Sequence, residues 1–582
     1  MNSLFQGRST AIVRFATAIV FASASGCATV SSGVTTMPSD RPSPDPRVGL
    51  RAGLMDAAEA AWNLRVLAKV PPSEKFVGST NSDLAFIGHY AIQGSYNGYQ
   101  IWDIADPSRP TLKTAYFCPA SQSDVSVYKN LLFVSGEGLS GRLDCGAQGV
   151  KDTVSTERLR GLRIFDITDI GNPKNVGNVQ TCRGSHTHTV LVDPKDTENV
   201  YVYISGSSGV RSPTELPGCI KDTPDINPNS ALFRIEVIKV PVAHPEQAKI
   251  VSSPRIFNDL NATLRHEEPG QSSSRHDGPT QCHDITVYPG IGYAGGACEG
   301  YGFLLDIRDP ANPKRVGAVA DSNFSYWHSA TFNNDGTKIL FSDEWGGGGQ
   351  PKCRVTDKRE WGADAIFTLV NGQMTFQSYY KLPAPQTAQE NCVAHNGSLI
   401  PIPGRDVMVQ AWYQGGISVF DWTDAARPKE IAYFDRGPVD STRMTLGGSW
   451  SVYWYNGVIV SSEIARGLDV FELTPSAFIS QNEIDAAKTV HYDYLNTQGQ
   501  PKMVWPASFA LARAYLDQLE RTNGLSSSRL ASVRRDLSGA ESASDRASRL
   551  SALAGQLDSD AGGAGNARTV RMLAEAVRNL AR

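Results

Sequence analysis

The sequence lacks several features that would place a protein quickly in a functional class. It has no Gly-x-Ser-x-Gly nucleophile elbow and no His-Glu-x-x-His zinc motif. The run Gly346–Gly349 does not have the spacing of a phosphate-binding loop. Basic residues are not in excess, with 55 Lys and Arg against 59 Asp and Glu, so we expect no nucleic-acid partner. Beyond the N-terminus, no apolar run is long enough to cross a bilayer.

The one marked apolar run lies near the N-terminus and indicates export. It extends from Phe15 to Ala24 and is followed by Ala-Ser-Gly-Cys27, which is similar to a bacterial lipobox. We therefore predict a signal peptide over 1–27, lipidation of Cys27, and a flexible tether over 28–47 that holds the protein at a membrane surface. Residue 24 is Ala where Leu is usual, so ordinary signal-peptidase cleavage is the alternative. The expected location is the bacterial cell envelope, as an outer-membrane or surface lipoprotein.

The other cysteines are eight in number, which fits disulfide pairing in an exported protein. Sequence does not fix their connectivity. Sequential pairing of 118 with 145, 182 with 219, 282 with 298 and 353 with 392 would keep each bridge within a blade or its neighbour. A soft-metal site at Cys282 and Cys298 is the alternative to a bridge at that position.

Seven copies of one repeat occupy most of the chain, with a period of about fifty residues. Each copy reads as four short antiparallel strands joined by turns, and a single such blade cannot bury both of its faces. The third strands of the copies are predicted to begin at Gly98, Gly161, Ala231, Gly302, Ala365, Gly416 and Gly467.

These repeats predict an all-β fold, a seven-bladed β-propeller over residues 48–475. The last copy lacks a fourth strand, and the segment Asn63 to Val70 is expected to supply it and close the ring. Residues 48–62 are predicted to form a short helix. Residues 476–582 are expected to form a linker and a small C-terminal α-helical segment with three helical stretches.

The repeats resemble those of the LVIVD-repeat family of bacterial cell-envelope β-propellers. The matching segments are GYQIWDIADPSRP, GLRIFDITDIGNPKNVG, GFLLDIRDPANPKRVG and GISVFDWTDAARPKEI, and the resemblance covers roughly residues 60 to 475. It implies an envelope-associated propeller. It implies no particular biochemical activity, because that family has no settled one.

Four of the ten histidines fall at one position of the repeat, the start of the innermost strand. They are His188, His283, His328 and His395, in four consecutive blades. Because innermost strands line the central tunnel, we expect these side chains to meet at one rim around the axis. His186 lies two residues before His188 and could be a fifth participant, although we expect it to be exposed.

Several second strands end in a carboxylate at the same rim. We expect Glu299, Glu344 and Glu463, with Arg466 beside the last, to act as second-shell or acid/base groups, and Glu137 occupies an equivalent position. Imidazoles backed by carboxylates would suit one transition metal ion, iron, copper or zinc.

The sequence leaves the function open between two main hypotheses. The first is a binding module of the cell envelope that takes a protein or small-molecule ligand on the His/Glu face. The second is a metal-dependent enzyme, an oxidoreductase in preference to a hydrolase, with a four-histidine site at the axis. Histidines that serve only to connect neighbouring blades are a third reading.

Overall fold

A computed structural model gives the fold for residues 41–261 and 279–582. Within these ranges the strands form seven antiparallel sheets of four or five strands each. The sheets are the blades of a seven-bladed β-propeller, which confirms the fold predicted from the repeats. The signal peptide, Cys27 and most of the tether lie outside the described residues.

The strands that each repeat contributes to its own blade follow chain order from the axis outward. Blade 1 contains Asn81–Ile87, Tyr90–Ser95, Gly98–Asp103 and Thr111–Phe117, and blade 2 contains Val125–Tyr128, Leu131–Gly136, Gly161–Asp166 and Lys174–Gln180. Blade 3 contains Thr187–Leu191, Asn199–Ser205, Glu236–Pro241 and Lys249–Ser252. Blade 4 contains Ile285–Tyr288, Tyr293–Cys298, Tyr301–Asp306 and Lys314–Val319. Blade 5 contains Trp327–Phe332, Lys338–Asp343, Asp364–Val370 and Gln373–Tyr380. Blade 6 contains Gly397–Ile400, Val407–Ala411, Ile417–Asp421 and Lys429–Arg436. Blade 7 contains Ser449–Tyr455, Val458–Glu463 and Gly467–Leu473.

The third strand of blade 3 begins five residues later than predicted. The prediction started it at Ala231, whereas the strand is Glu236–Pro241. Phe233 has a left-handed backbone, with φ of 58°, which cannot continue a strand.

The N-terminal segment closes the ring, as predicted. Leu64–Val70 pairs antiparallel with Gly467–Leu473 and completes blade 7. A preceding strand, Glu59–Trp62, adds a fifth strand to blade 6. The helix predicted over 48–62 is therefore wrong. Ala60 and Trp62 alternate with exposed residues and pack as the inward face of an edge strand, which overrides the helix propensity of the alanines.

All eight cysteines of the propeller form disulfides, and the pairing is sequential. The bridges are Cys118–Cys145, Cys182–Cys219, Cys282–Cys298 and Cys353–Cys392. Cys282 and Cys298 are thus bridged to each other. Four bridges indicate an oxidising compartment.

The C-terminal part of the chain contains five helices, α1 (Gln481–Lys488), α2 (Phe509–Arg521), α3 (Ser527–Glu541), α4 (Arg546–Asp560) and α5 (Ala567–Leu580). Helices α2 to α5 bury a common apolar core. The second predicted helical stretch is two helices, because a Ser- and Asp-containing turn at 542–545 interrupts it. None of the helices in the described ranges has the length and apolar character needed to span a bilayer.

Side chains of the C-terminal segment form hydrogen bonds and an ion pair with the loop 401–405 of blade 6. Gln518 donates to the carbonyl of Pro403 and Trp505 to that of Pro401, each over 2.8 Å. Buried Glu483 of α1 pairs with Arg405 over 3.0 Å. The helical segment is therefore packed against the propeller.

The segment Tyr494–Gln500, which we call the plug, crosses the face of the propeller where the inner strands end. Tyr494–Asn496 pairs with the inner strand of blade 1. The Asn496 amide bonds both the N–H and the carbonyl of Val127 in blade 2, over 2.7 and 2.8 Å. Gln500 does the same to Phe332 in blade 5, over 2.9 Å each. These amides take the place of a neighbouring strand's backbone and tie separate blades together.

We expect the Asn496→Ala, Gln500→Ala double variant to lose about 2 to 4 kcal/mol of unfolding free energy, because backbone groups of two inner strands lose their partners. Urea denaturation measures the change. The matched control Asn178→Ala removes an exposed amide and should cost less than about 0.5 kcal/mol. Equal losses in the two variants would contradict a bracing role for the plug.

Candidate functional site

Four imidazoles form a row at the rim where the inner strands begin. The row, which we call the imidazole row, runs His186, His283, His328, His395, with successive ring centroids 4.5, 3.9 and 4.0 Å apart. Three of its members were predicted to meet there. The inner strands of blades 3 to 6 bring them together from positions that span more than two hundred residues of the chain.

The fourth predicted histidine, His188, lies outside the row. It is the second residue of its strand and fully buried, and its Nδ1 lies 2.8 Å from the hydroxyl of Ser135 in blade 2. His186 stands just before that strand and takes the place in the row, with a side chain that is 21% exposed. The prediction began this strand at His188, one residue later than the structure does, and expected His186 to be exposed. The spacing His-x-His was the signal that could have revealed it.

Hydrogen bonds orient three rings of the row. Nδ1 of His186 bonds Glu137 Oε1, Nδ1 of His283 lies 3.0 Å from Asp284 Oδ1, and Nδ1 of His395 bonds the carbonyl of Trp450. Carboxylates and carbonyls accept, so Nδ1 donates in each case, and Nε2 of His283 and His395 is left free to keep a lone pair. This is how ligand histidines are commonly prepared for a metal ion.

Glu344 completes the centre of the site. Its Oε2 lies 3.7 Å from Nε2 of His328 and its Oε1 3.8 Å from Nε2 of His395, while the hydroxyl of Tyr413 donates to Oε1. Potential ligand atoms of His283, His328 and Glu344 all lie within 4.8 Å of one another. Neither ring nitrogen of His328 has a hydrogen-bond partner among the described residues.

Burial governs the protonation of these groups. It lowers the pKa of His395 to about 3 and that of His328 well below its usual value, with further lowering by neighbouring His283. Both rings are therefore neutral at pH 7 and can offer lone pairs to a cation. Burial also lowers the pKa of His186, but the charge of Glu137 outweighs it and the net shift is upward.

The remaining predicted carboxylates make local bonds at the rim. Glu299 accepts from the N–H of Thr280 over 2.7 Å. Glu463 accepts from the N–H of Gly448 over 2.9 Å and pairs with Arg466 over 2.9 Å. Arg466 also donates to the carbonyl of Gly437, so this pair holds rim loops in place.

A cavity of about 530 Å³ opens onto the row. Its walls combine imidazoles, Glu344, two glycines of the run Gly346–Gly349, and four aromatic side chains, Tyr96, Tyr326, Tyr413 and Trp450. The aromatic walls suit a small organic molecule, and the polar groups converge on its floor.

No protein-family model matches the sequence, and no curated protein does. Solved structures with a similar fold include a periplasmic gluconolactonase of Pseudomonas aeruginosa, at 13% identity over 68% of this chain and 97% of that one, with a TM-score of 0.42. Another is hydrazine synthase of Kuenenia stuttgartiensis, at 10% identity over 66% of this chain and 92% of that one, with a TM-score of 0.40. A third is the Cps50 (Swd1) propeller domain of Myceliophteria thermophila, at 9% identity over 71% of this chain and 100% of that one, with a TM-score of 0.40. The β-propeller fold of this chain rests on its own seven sheets. Membership of the LVIVD-repeat family stays a prediction.

Two neighbouring glycines allow a controlled test of the cavity lip. Gly347 and Gly348 both have left-handed backbones, so alanine at either position costs about 1 kcal/mol. A Cβ on Gly347 would meet no atom within 4 Å, whereas one on Gly348 would lie 2.6 Å from the Tyr413 hydroxyl. We expect Gly348→Ala to displace Tyr413 and to cost about 1 to 3 kcal/mol more than Gly347→Ala. Crystal structures and urea denaturation of both variants check this, and an unmoved Tyr413 would contradict it.

The buried His188 should make stability depend on pH in the metal-free protein. Burial lowers its pKa from 6.5 to about 3, so between these values the unfolded chain binds a proton that the folded chain does not. Its stabilising effect is complete above pH 6.5 and is lost as the pH falls towards 3, by up to about 1.4 kcal/mol per pH unit. We expect His188→Gln to lose less stability than the parent between these pH values. His89→Gln, at an exposed site, should behave as the parent does.

Proposed function

We propose that the protein is a metal-dependent oxidoreductase whose ion is held by His283, His328 and Glu344. The observation that carries the proposal is the convergence of these three groups within 4.8 Å, with His283 and Glu344 in the lining of an open cavity. Two imidazoles and one carboxylate are the ligand set typical of non-haem iron in oxygenases. Iron is therefore the first expectation, ahead of copper and zinc.

The donor set fits such an ion in two ways. His328 is fully buried, and both of its ring nitrogens lack a partner among the described residues, a state that a metal bond would relieve. His395 presents Nε2 beside Glu344 and would be a fourth ligand. When bound, the ion would supply electron exchange with the substrate and polarise its oxygen atoms.

Residues around the ion site are placed to handle protons. Tyr413 donates to Glu344, which fixes the carboxylate and keeps a proton at the cavity wall. His186 is the most exposed member of the row, and Glu137 favours its charged form. We assign His186 the role of proton donor to a substrate in the cavity.

The substrate class follows from the cavity. A volume of about 530 Å³ with Tyr96, Tyr326 and Trp450 in its walls fits a small organic molecule with an aromatic ring. The four disulfides support action in an oxidising, exported location. Lipidation at Cys27, attachment to a membrane surface and kinship with the LVIVD-repeat proteins belong to the same proposal and rest on the sequence.

A second candidate is a binding module without turnover. One observation favours it: Nε2 of His186 and Nε2 of His283 lie 2.8 Å apart, so one ring can donate to the other without any metal. The cavity would then hold its ligand through the imidazoles and aromatic walls. This candidate predicts that chelators leave ligand binding unchanged.

Metal analysis of protein purified without a histidine tag separates the two candidates. After anaerobic incubation with Fe(II), and in parallel with Cu(II) or Zn(II), followed by desalting, we expect about one equivalent of metal per chain. The double variant His283→Ala, His328→Ala should lose metal affinity more than about 100-fold.

The matched control is His89→Ala, which removes an exposed imidazole and should keep full occupancy. If the parent holds less than about a tenth of an equivalent of every metal tested, the oxidoreductase proposal is contradicted and the binding module is favoured. If the double variant still binds the metal, the ion must lie at a site other than His283, His328 and Glu344.

A further inference from the structure

A ring of oxygen-bearing side chains lies directly behind the imidazole row. At or near the start of every inner strand lies a buried residue whose side chain carries an oxygen. They are Asp83, Asp124, Thr189, Asp284, Ser329, Asn396 and Ser451. Seven blades contribute one oxygen group each, and three of the seven are carboxylates.

Two of the carboxylates have partners. Asp83 accepts from the hydroxyl of Tyr453 and from the amide of Asn396, each over 2.7 Å. Asp284 accepts from His283 over 3.0 Å. The bonds of Asp83 connect blades 1, 6 and 7 around the axis.

Asp124 differs from both. It is 1% exposed, and neither of its carboxylate oxygens makes a hydrogen bond of normal geometry with the described residues, although the backbone N–H of His188 lies close enough to favour its charged form. Asp83 and Asp284 are near enough for their charges to raise its pKa further, after the larger effect of burial. A buried carboxylate without a partner is costly and calls for a ligand or a proton.

The plug brings a second unpaired group to the same place. Gln498 is 1% exposed, and neither atom of its amide makes a hydrogen bond of normal geometry with the described residues. Its amide lies close enough to Asp124 and Asp284 to favour the charged form of both. Its backbone is fixed, since its carbonyl accepts from the N–H of Val287 over 2.8 Å.

The chemistry of this group of side chains favours a hard cation. All its donors are oxygens of carboxylates, amides and hydroxyls, and Asn396 Oδ1 and Ser451 Oγ are also unpaired. Among the described residues, no Lys or Arg forms an ion pair with Asp83, Asp124 or Asp284. Oxygen ligands with two or more carboxylates are what Ca²⁺ takes, and the imidazoles that suit iron lie in the separate layer above.

We propose that Ca²⁺ binds on the propeller axis between Asp124, Asp284 and Gln498, with Asp83 held beside it by Tyr453 and Asn396. The ion neutralises the buried carboxylates and joins the plug to blades 2 and 4. It is a structural cation, distinct from the metal of the imidazole row.

The test compares the full-length parent with Asp124→Asn, which keeps the size of the side chain and removes its charge. Calcium content is measured on protein purified without chelator and again after dialysis against EGTA. Thermal unfolding is then recorded in EGTA and in excess Ca²⁺. We expect about one equivalent of Ca²⁺ in the parent and a rise in Tm of at least about 5 °C over the calcium-free state.

Asp124→Asn should bind Ca²⁺ more than about tenfold more weakly. In EGTA it should melt no lower than the parent, because an amide at this buried site carries no charge to neutralise. Asp222→Asn, in an exposed loop, should keep the full calcium response. So should His328→Ala, which removes an iron ligand whose ring makes no hydrogen bond to a calcium ligand, so that failure of the iron proposal leaves this one standing.

A parent that holds no calcium and melts at the same temperature with and without Ca²⁺ would overturn the proposal. An unchanged calcium response in Asp124→Asn would equally overturn it, because the ion would then lie at another site.

Discussion

The hydrogen-bonded pairing of Leu64–Val70 with Gly467–Leu473 is the constraint on which the rest of this structure depends. It joins the first blade-forming segment of the chain to the last and so closes seven sheets into a ring. An open row of blades would expose two sheet edges and leave the inner strands splayed. Closure fixes the inner strands around one axis, and every polar layer of the tunnel follows from that.

Inside the ring, side chains of the same type are brought to the same height. The imidazole row lies at one level, the oxygen ring at the next, and the plug across the strand ends. Groups such as His328 and Asp124 would cost little at the surface, but here they are fully withdrawn from water. Burial without a hydrogen-bond partner is unfavourable, and the ions that we propose would remove that cost.

Both chain ends contribute to this rigidity in different ways. The N-terminal strands complete blades 6 and 7 through backbone pairing. The C-terminal plug uses the side-chain amides of Asn496 and Gln500 to imitate a strand at blades 2 and 5. The rim that carries the imidazole row is left as the open face, with the cavity above it.

Much of this architecture was legible in the sequence. The recurrence of the third-strand motif indicated seven blades, and the missing last strand indicated that Asn63 to Val70 would close the ring. The even number of cysteines and their order along the chain fitted the sequential disulfides. These features are predictable because strand alternation and repeat period are local properties of the chain. The imidazoles of His283, His328 and His395 were likewise found by aligning strand starts.

Only the tertiary structure decided the rest. The inner strand of blade 3 begins one residue earlier than predicted, and His186 takes the place expected for His188, because register depends on pairing with the neighbouring strand. The Ala-rich segment before Asn63 became an edge strand because blade 6 offered it unpaired backbone groups. The plug, the orphaned Asp124 and the place of Gln498 arise from contacts between residues hundreds of positions apart. Residue order fixes the repeat, whereas these contacts exist only once the ring has closed and its interior has excluded water.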